Sequence, residues 1–208
     1  MKRLIDGVGK NSVEEYNRNF FERCERGPDE FDLQRWKMLI KYYKGGRLID
    51  LGCLDSLVPV YAKEKYPYGE FWGIDVADEA VNAMRENYPY VNYLVGDVYN
   101  TKLPSDHFDY AVAGELIEHL ERPEDFLKET FRILKEGGML AISTPLEEAQ
   151  EPGAKDAERH IWSYSVEDIR QLLSFYDSVK IKIQGSKYFP RYKYNFPNII
   201  AYCKKYGN

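Results

Sequence analysis

The stretch "RLIDLGCLDSLVPV", Arg47 to Val60, decides how the chain folds. It opens as a buried strand, an apolar run interrupted by one acid, Asp50, and closed by Gly52. A nucleotide-binding turn would carry a second glycine two residues on and another small, flexible residue two further. The sequence has Leu54 and Ser56 there. A Cβ at position 54 excludes some backbone conformations with positive φ and fills space beside the turn. Three readings stay open: a reshaped working turn, a degenerate one, or a register slipped by one residue.

Short apolar runs and amphipathic stretches alternate outward from this turn. "SLVPVYAKEKYP" (56–67) has helical spacing, and "EFWGIDV" (70–76) is a second strand. "ADEAVNAMRENYP" (77–89) is a helix with acids early and Arg85 late, matching the helix dipole. "VNYLVGDV" (91–98) and "FDYAVAGE" (108–115) are further strands. "RPEDFLKETFRILKEGG" (122–138) is a helix with Pro123 in its first turn and Gly137-Gly138 as its stop. "MLAISTP" (139–145) is a fifth strand, "SVEDIRQLLSFY" (165–176) a helix behind an N-cap serine, and "SVKIKIQG" (178–185) and "NIIAYCKK" (198–205) two last strands. The alternation through 145 predicts a parallel sheet covered on both faces, and the helix-free ending predicts an antiparallel hairpin at its edge. The first 45 residues read as helical.

With 208 residues the chain is long enough for one sizeable core. A net charge of −5 disfavours nonspecific attraction to nucleic acid. No apolar run approaches the roughly 20 residues that span a bilayer, and the N-terminus lacks the apolar centre of a signal peptide. Cys24, Cys53 and Cys203 are too scattered for a zinc site or disulfide framework, so a cytoplasmic protein with reduced thiols is expected.

Ligands of open α/β sheets bind beyond the carboxyl ends of the strands. Four successive strand ends here carry an acid: Asp50, Asp75, Asp97 and Glu115. Asp75 follows Gly52 by 23 residues, the spacing at which a carboxylate meets a ribose diol. A dinucleotide reading fits less well, because Leu54 stands where a backbone must approach a pyrophosphate.

"LIDLGC", "FWGIDV", "VGDV", "FDYAVAGELIEHLERPEDFLKETFRILKEGGMLAISTP" and "RHIWSYSVEDIRQLL" resemble, in order, the motifs of the class I S-adenosylmethionine-dependent methyltransferases. The likeness is nearest the branch of the ubiquinone-biosynthesis O-methyltransferases and their small-molecule relatives. It covers about residues 45–205, most specifically Phe108 to Pro145. The resemblance implies an α/β, Rossmann-like three-layer sandwich: a seven-stranded, mostly parallel sheet whose last strand is antiparallel. It implies an N-terminal helical lid over 1–45, with Tyr16 and Phe20 on its inner face, and an S-adenosylmethionine-binding domain over 46–208. It places Asp50, Gly52 and Cys53 along the methionine part of the cofactor, Asp75 and Val76 at the ribose, Asp97 and Val98 at the adenine, and Glu115 and Leu116 near the transferred methyl.

Methyl transfer needs a nucleophile held in line with the sulfonium methyl and, for oxygen, the removal of a proton. Glu115, His119 and His160 are the candidate catalytic residues. With Glu118 they are also suited to bracing a loop or gating substrate, or to binding a divalent cation as in the small-RNA 3′-end 2′-O-methyltransferases, which this stretch also resembles. No metal is assigned. The loops 146–160 and 186–197 are the expected substrate walls, the second with basic residues set among aromatics. The expected partner is a small-molecule methyl acceptor, with nucleic acid disfavoured and no membrane; monomer and homodimer stay open. An RNA methyltransferase and a non-catalytic binding protein are the alternatives.

Overall fold

The computed structural model describes residues 1–3, 11–146, 160–185 and 197–206. The expected substrate loops therefore fall almost wholly outside the described residues. In chain order the elements are β1 (Lys2–Arg3), α1 (Val13–Arg26), α2 (Glu30–Leu39), β2 (Arg47–Leu51), α3 (Val58–Lys65), β3 (Glu70–Asp75), α4 (Asp78–Asn87), β4 (Asn92–Val95), β5 (Phe108–Gly114), a 3₁₀ turn (Ile117–His119), α5 (Pro123–Ile133), β6 (Leu134–Pro145), β7 (Trp162–Ser163), α6 (Val166–Leu172), β8 (Ser178–Gln184) and β9 (Asn198–Lys204).

The main sheet has seven strands in the order β4-β3-β2-β5-β6-β9-β8. β2 to β6 run parallel, and β9 enters antiparallel to both β6 and β8. The expected sheet is thus the observed one, with the hairpin at its edge. Both faces are covered, as a parallel sheet requires. In β2 the side chains alternate: Leu48 joins Trp36, Tyr43, Phe71 and Tyr110 on one face, while Ile49 and Leu51 join Phe126, Leu127 and Ile169 on the other. Asp50 shares the face of Leu48 by the period of two.

One boundary differs from the sequence reading. α5 ends at Ile133, not at the glycines, and β6 starts at once with Leu134 opposite Phe108. The ladder then skips a step before Tyr110 meets Met139. Gly137 takes φ 78 inside this irregularity. Lys205 donates to the carbonyls of Phe131 and Leu134 at 2.8 and 2.7 Å, satisfying groups that the helix end leaves open. The ladder between β1 and β7, with Lys2 opposite Ser163, was not expected either.

α1 is held over the sheet by Asn17. Its side-chain oxygen accepts from the amides of Glu79 and Ala80, and its nitrogen donates to Asp78 Oδ1 at 2.9 Å. α4 has Ala77 at its N-cap and no side chain of its own to cap it, so α1 supplies the missing acceptor. No helix among the described residues is long and apolar enough to cross a membrane.

Candidate active site

A cleft of about 640 Å³ opens beyond the carboxyl ends of β2, β3 and β5, between these and α1 and α2. Gly52, Cys53, Asp75, Val76, Asp97, Val98, Glu115, Leu116 and His119 all line it. Asp50 and His160 do not.

The turn after β2 keeps its shape without the second glycine. Gly52 takes φ 71, and a Cβ there would stand 2.6 Å from Leu116 Cδ1, so this glycine is required. Leu54 sits at φ 29, in the left-handed region that a glycine would enter without strain. Its amide donates to Asp75 Oδ2 at 2.9 Å. Ser56 closes the turn on the Cys53 carbonyl, and its hydroxyl accepts from the Val58 amide at 3.3 Å, opening α3. Asp55 holds Arg23 of α1 at 2.6 Å and so ties the helical layer to the mouth of the cleft.

Asp75 presents a carboxylate already held by two backbone amides, Leu54 at Oδ2 and Ala77 at Oδ1, both at 2.9 Å. Burial raises its pKa and these amides oppose the shift. Each oxygen keeps a lone pair for a further donor. Asp97 is exposed at the end of the cleft, its Oδ1 accepting from the Tyr99 amide at 2.8 Å. Beside it Arg122 stacks over the Tyr99 ring, 4.6 Å from its centre. Asp50 lies beneath the turn, 1% exposed, and its Oδ2 has no hydrogen-bond partner among the described residues. Burial pushes it up to about 7 against the Ser56 hydroxyl, with Asp75 and Asp55 adding to the rise.

The Glu/His set divides. Glu115 adopts φ 53 and faces the cleft; Oε1 accepts from Ser143 Oγ at 2.6 Å and Asn198 Nδ2 at 3.1 Å. Arg35 Nη1 stands 3.9 Å from Oε2, while its Nη2 donates to Asp32 at 2.7 Å. Glu118 is fully buried behind the wall. Its Oε2 accepts from Thr144 at 2.9 Å, and its Oε1 has no partner among the described residues. Burial, then the nearby Glu115, hold its carboxyl well above the usual range. Ile161 donates to the Glu118 carbonyl at 2.8 Å, which brings His160 against His119 with ring centres 4.9 Å apart. Glu118, His119 and His160 each offer a ligand atom within 4.8 Å of the others; Glu115 is not in that group.

Tyr16 lines the cleft as expected, whereas Phe20 is buried in the core. Arg35, Trp36 and Tyr99 also line it and were not anticipated. One hint was legible for Arg35 and Trp36, a cation beside an aromatic in a helix preceding the first strand of the main sheet.

Residues 49–142 match the family described as "Methyltransferase domain". A probable S-adenosylmethionine-dependent methyltransferase of Mycolicibacterium smegmatis is 35% identical over a stretch covering 39% of this chain and 32% of that one. The chain thus spans only about a third of that curated relative. Among solved structures, a possible histamine N-methyltransferase of Thermotoga maritima superposes with TM-score 0.71 at 20% identity, covering 94% of this chain and 97% of that one. The plantazolicin methyltransferase BpumL, solved with a triazolic desmethylPZN analogue and S-adenosylhomocysteine, gives 0.72 at 15%, covering 93% of this chain and 91% of that one. These two share the fold. Residues 49–142 thus match a methyltransferase domain like that of the probable S-adenosylmethionine-dependent methyltransferases, and the described chain has the fold of these enzymes.

Proposed function

We propose that the chain transfers a methyl group from S-adenosylmethionine to a small-molecule acceptor held under α1 and α2. The observation that carries this is convergence: the Gly52 turn, Asp75, Asp97 and Glu115, from four successive strand ends, meet in one cleft of ligand size. The donor set also suits the cofactor, since acids replace the backbone cradle that a phosphate would need. When bound, S-adenosylmethionine supplies an electrophilic methyl on a sulfonium sulfur.

The chain's residues do the rest. The backbone of Gly52 and Cys53 lies along the methionine end, with Leu54 filling what a glycine leaves open. Asp75 accepts from the ribose hydroxyls beside Val76. Asp97 and Val98 border the adenine. Glu115 and Leu116 close the far side, and the amides that fix Asp75 keep its carboxylate in place without reorganisation. Asp50 supports the methionine end from beneath the turn. His119, on the cleft wall, takes the acceptor's proton, and His160 holds its ring from behind. α1 and α2 serve as the lid that excludes water, fastened by Arg23–Asp55 and Asn17.

Calorimetric titration with S-adenosylhomocysteine tests the reading: heat of binding and thermal stabilisation are expected, and the absence of both would overturn it. A second reading rests on the Glu118–His119–His160 group, which has the ligand types and closeness for a divalent cation. It would bring the chain toward RNA 2′-O-methylation. Activity abolished by EDTA and restored by added metal would favour it.

A further inference from the structure

We propose that the outer edge of the sheet carries a site for a phosphate-type oxyanion, built by Lys41, Lys180 and Lys182 around the Tyr42 hydroxyl. The site is separate from the cleft and does not depend on the methyltransferase reading. On a chain of net charge −5, these cations gather from two elements, the turn after α2 and the edge strand β8. Lys180 Nζ donates to Tyr42 Oη at 3.3 Å and stands 5.3 Å from the centre of its ring. Lys41 Nζ is 6.0 Å from the same ring. Lys182 follows Lys180 by two residues on the same face of β8, and the like charge of Lys41 depresses its ammonium below the usual lysine range. The three lysines lower the Tyr42 hydroxyl as well, Lys180 most.

Three lysines elsewhere are matched by acids, Lys128 by Asp125, Lys135 by Asp109 and Lys205 by Asp106, while others such as Lys63 and Lys65 stand singly beside an aromatic ring. Among the described residues Lys41, Lys180 and Lys182 have no such carboxylate. The fold sets them together. Lys180 and Lys182 pair with Tyr202 and Ile200 of β9 and so share one face of the strand. Tyr42 stands edge-on to Tyr202 on that face, ring centres 4.8 Å apart.

The donor account fixes the ligand's chemistry. Three ammonium groups only donate, and the Tyr42 hydroxyl, which already accepts from Lys180, has its own O–H to give. A fitting ligand brings several acceptor oxygens and more than one negative charge, which a phosphate group does and a single carboxylate does not. Lysines on an edge strand also guard it against pairing with another sheet. That role accounts for Lys180 and Lys182 but not for Lys41 and Tyr42, which lie off the strand.

Lysine acylation of the full chain, read by mass spectrometry, tests the site. Orthophosphate, pyrophosphate or a short single-stranded RNA is added at matched ionic strength, with chloride as the control. Acylation of Lys41, Lys180 and Lys182 is expected to slow about threefold or more while Lys128 is unchanged. The Lys41→Gln and Lys182→Gln variants, with thermal midpoints showing them folded, are expected to lose that protection at the remaining lysines. Protection by the small phosphates assigns a phosphorylated small ligand; protection by RNA at far lower concentration assigns a nucleic-acid backbone. Protection by none of the three, equal slowing at Lys128, or protection that survives in both variants overturns the proposal.

Discussion

The amide of Leu54 donates to Asp75 Oδ2 at 2.9 Å, joining the turn after β2 to the end of β3. The bond exists because Leu54 accepts φ 29, a backbone state that costs a side chain about 1 kcal/mol. Leu54→Ala keeps that strain and loses the packing of a half-buried leucine. Leu54→Gly loses the same packing and removes the strain. The glycine variant is therefore expected to be the more stable by about 1 kcal/mol, reversing the order found at ordinary positions, where glycine is the worse of the two. Urea unfolding of both variants measures this; an alanine variant equal to or above the glycine one would show that position 54 is not strained.

Asp75 serves the fold and the proposed ribose contact with the same two oxygens. Asp75→Asn keeps one acceptor and turns an NH₂ toward a backbone amide, so either Leu54 or Ala77 loses its partner. An orphaned buried donor costs about 1–3 kcal/mol. The variant is expected to unfold earlier and, where still folded by near-ultraviolet circular dichroism, to bind S-adenosylhomocysteine roughly 10- to 100-fold more weakly. Unchanged affinity would remove Asp75 from the cofactor site.

Asn17→Ala removes an N-cap that one helix lends to another. The loss is expected to be about 1–2 kcal/mol in urea unfolding. Asn17→Asp keeps an acceptor for Glu79 and Ala80 but sets a second carboxylate against Asp78, so it is expected to rescue less than half of that loss at neutral pH. Full rescue would mean that the Asp78 contact contributes nothing.

The strand-end acids were legible because each closes an apolar run, a local pattern. The hairpin of β8 and β9 was legible because no helix separates them. Other features depend on partners distant in sequence. Asn17 caps amides 62 and 63 residues away, and Arg35 nears Glu115 across the cleft. The end of α5 was misread because apolar spacing runs on through Ile133 and Leu134, and only the pairing of Leu134 with Phe108 converts it to strand. The Glu/His set looked continuous because sequence does not show that Glu115 turns outward at φ 53 while Glu118 points into the core. Asp50 looked like its fellow acids, yet the alternation that places Leu48 inside places it beneath the turn.

That burial gives Asp50 a measurable signature. Its pKa rises from 3.8 to about 7 in the folded chain, so the native state holds this proton more tightly than the unfolded state does. The sign follows: the group's contribution is fully present below about pH 4 and is lost as pH climbs to about 7. Asp50→Asn, uncharged throughout, escapes the loss. The stability difference between Asp50→Asn and the native chain is therefore expected to move in favour of the variant from pH 4 to pH 7.5, by up to about 4 kcal/mol, with other groups cancelling in the comparison. Denaturant unfolding at intervals across this range measures it. A difference independent of pH would mean that Asp50 is ionised in the native chain at pH 4, and that a partner beneath the turn already offsets its burial.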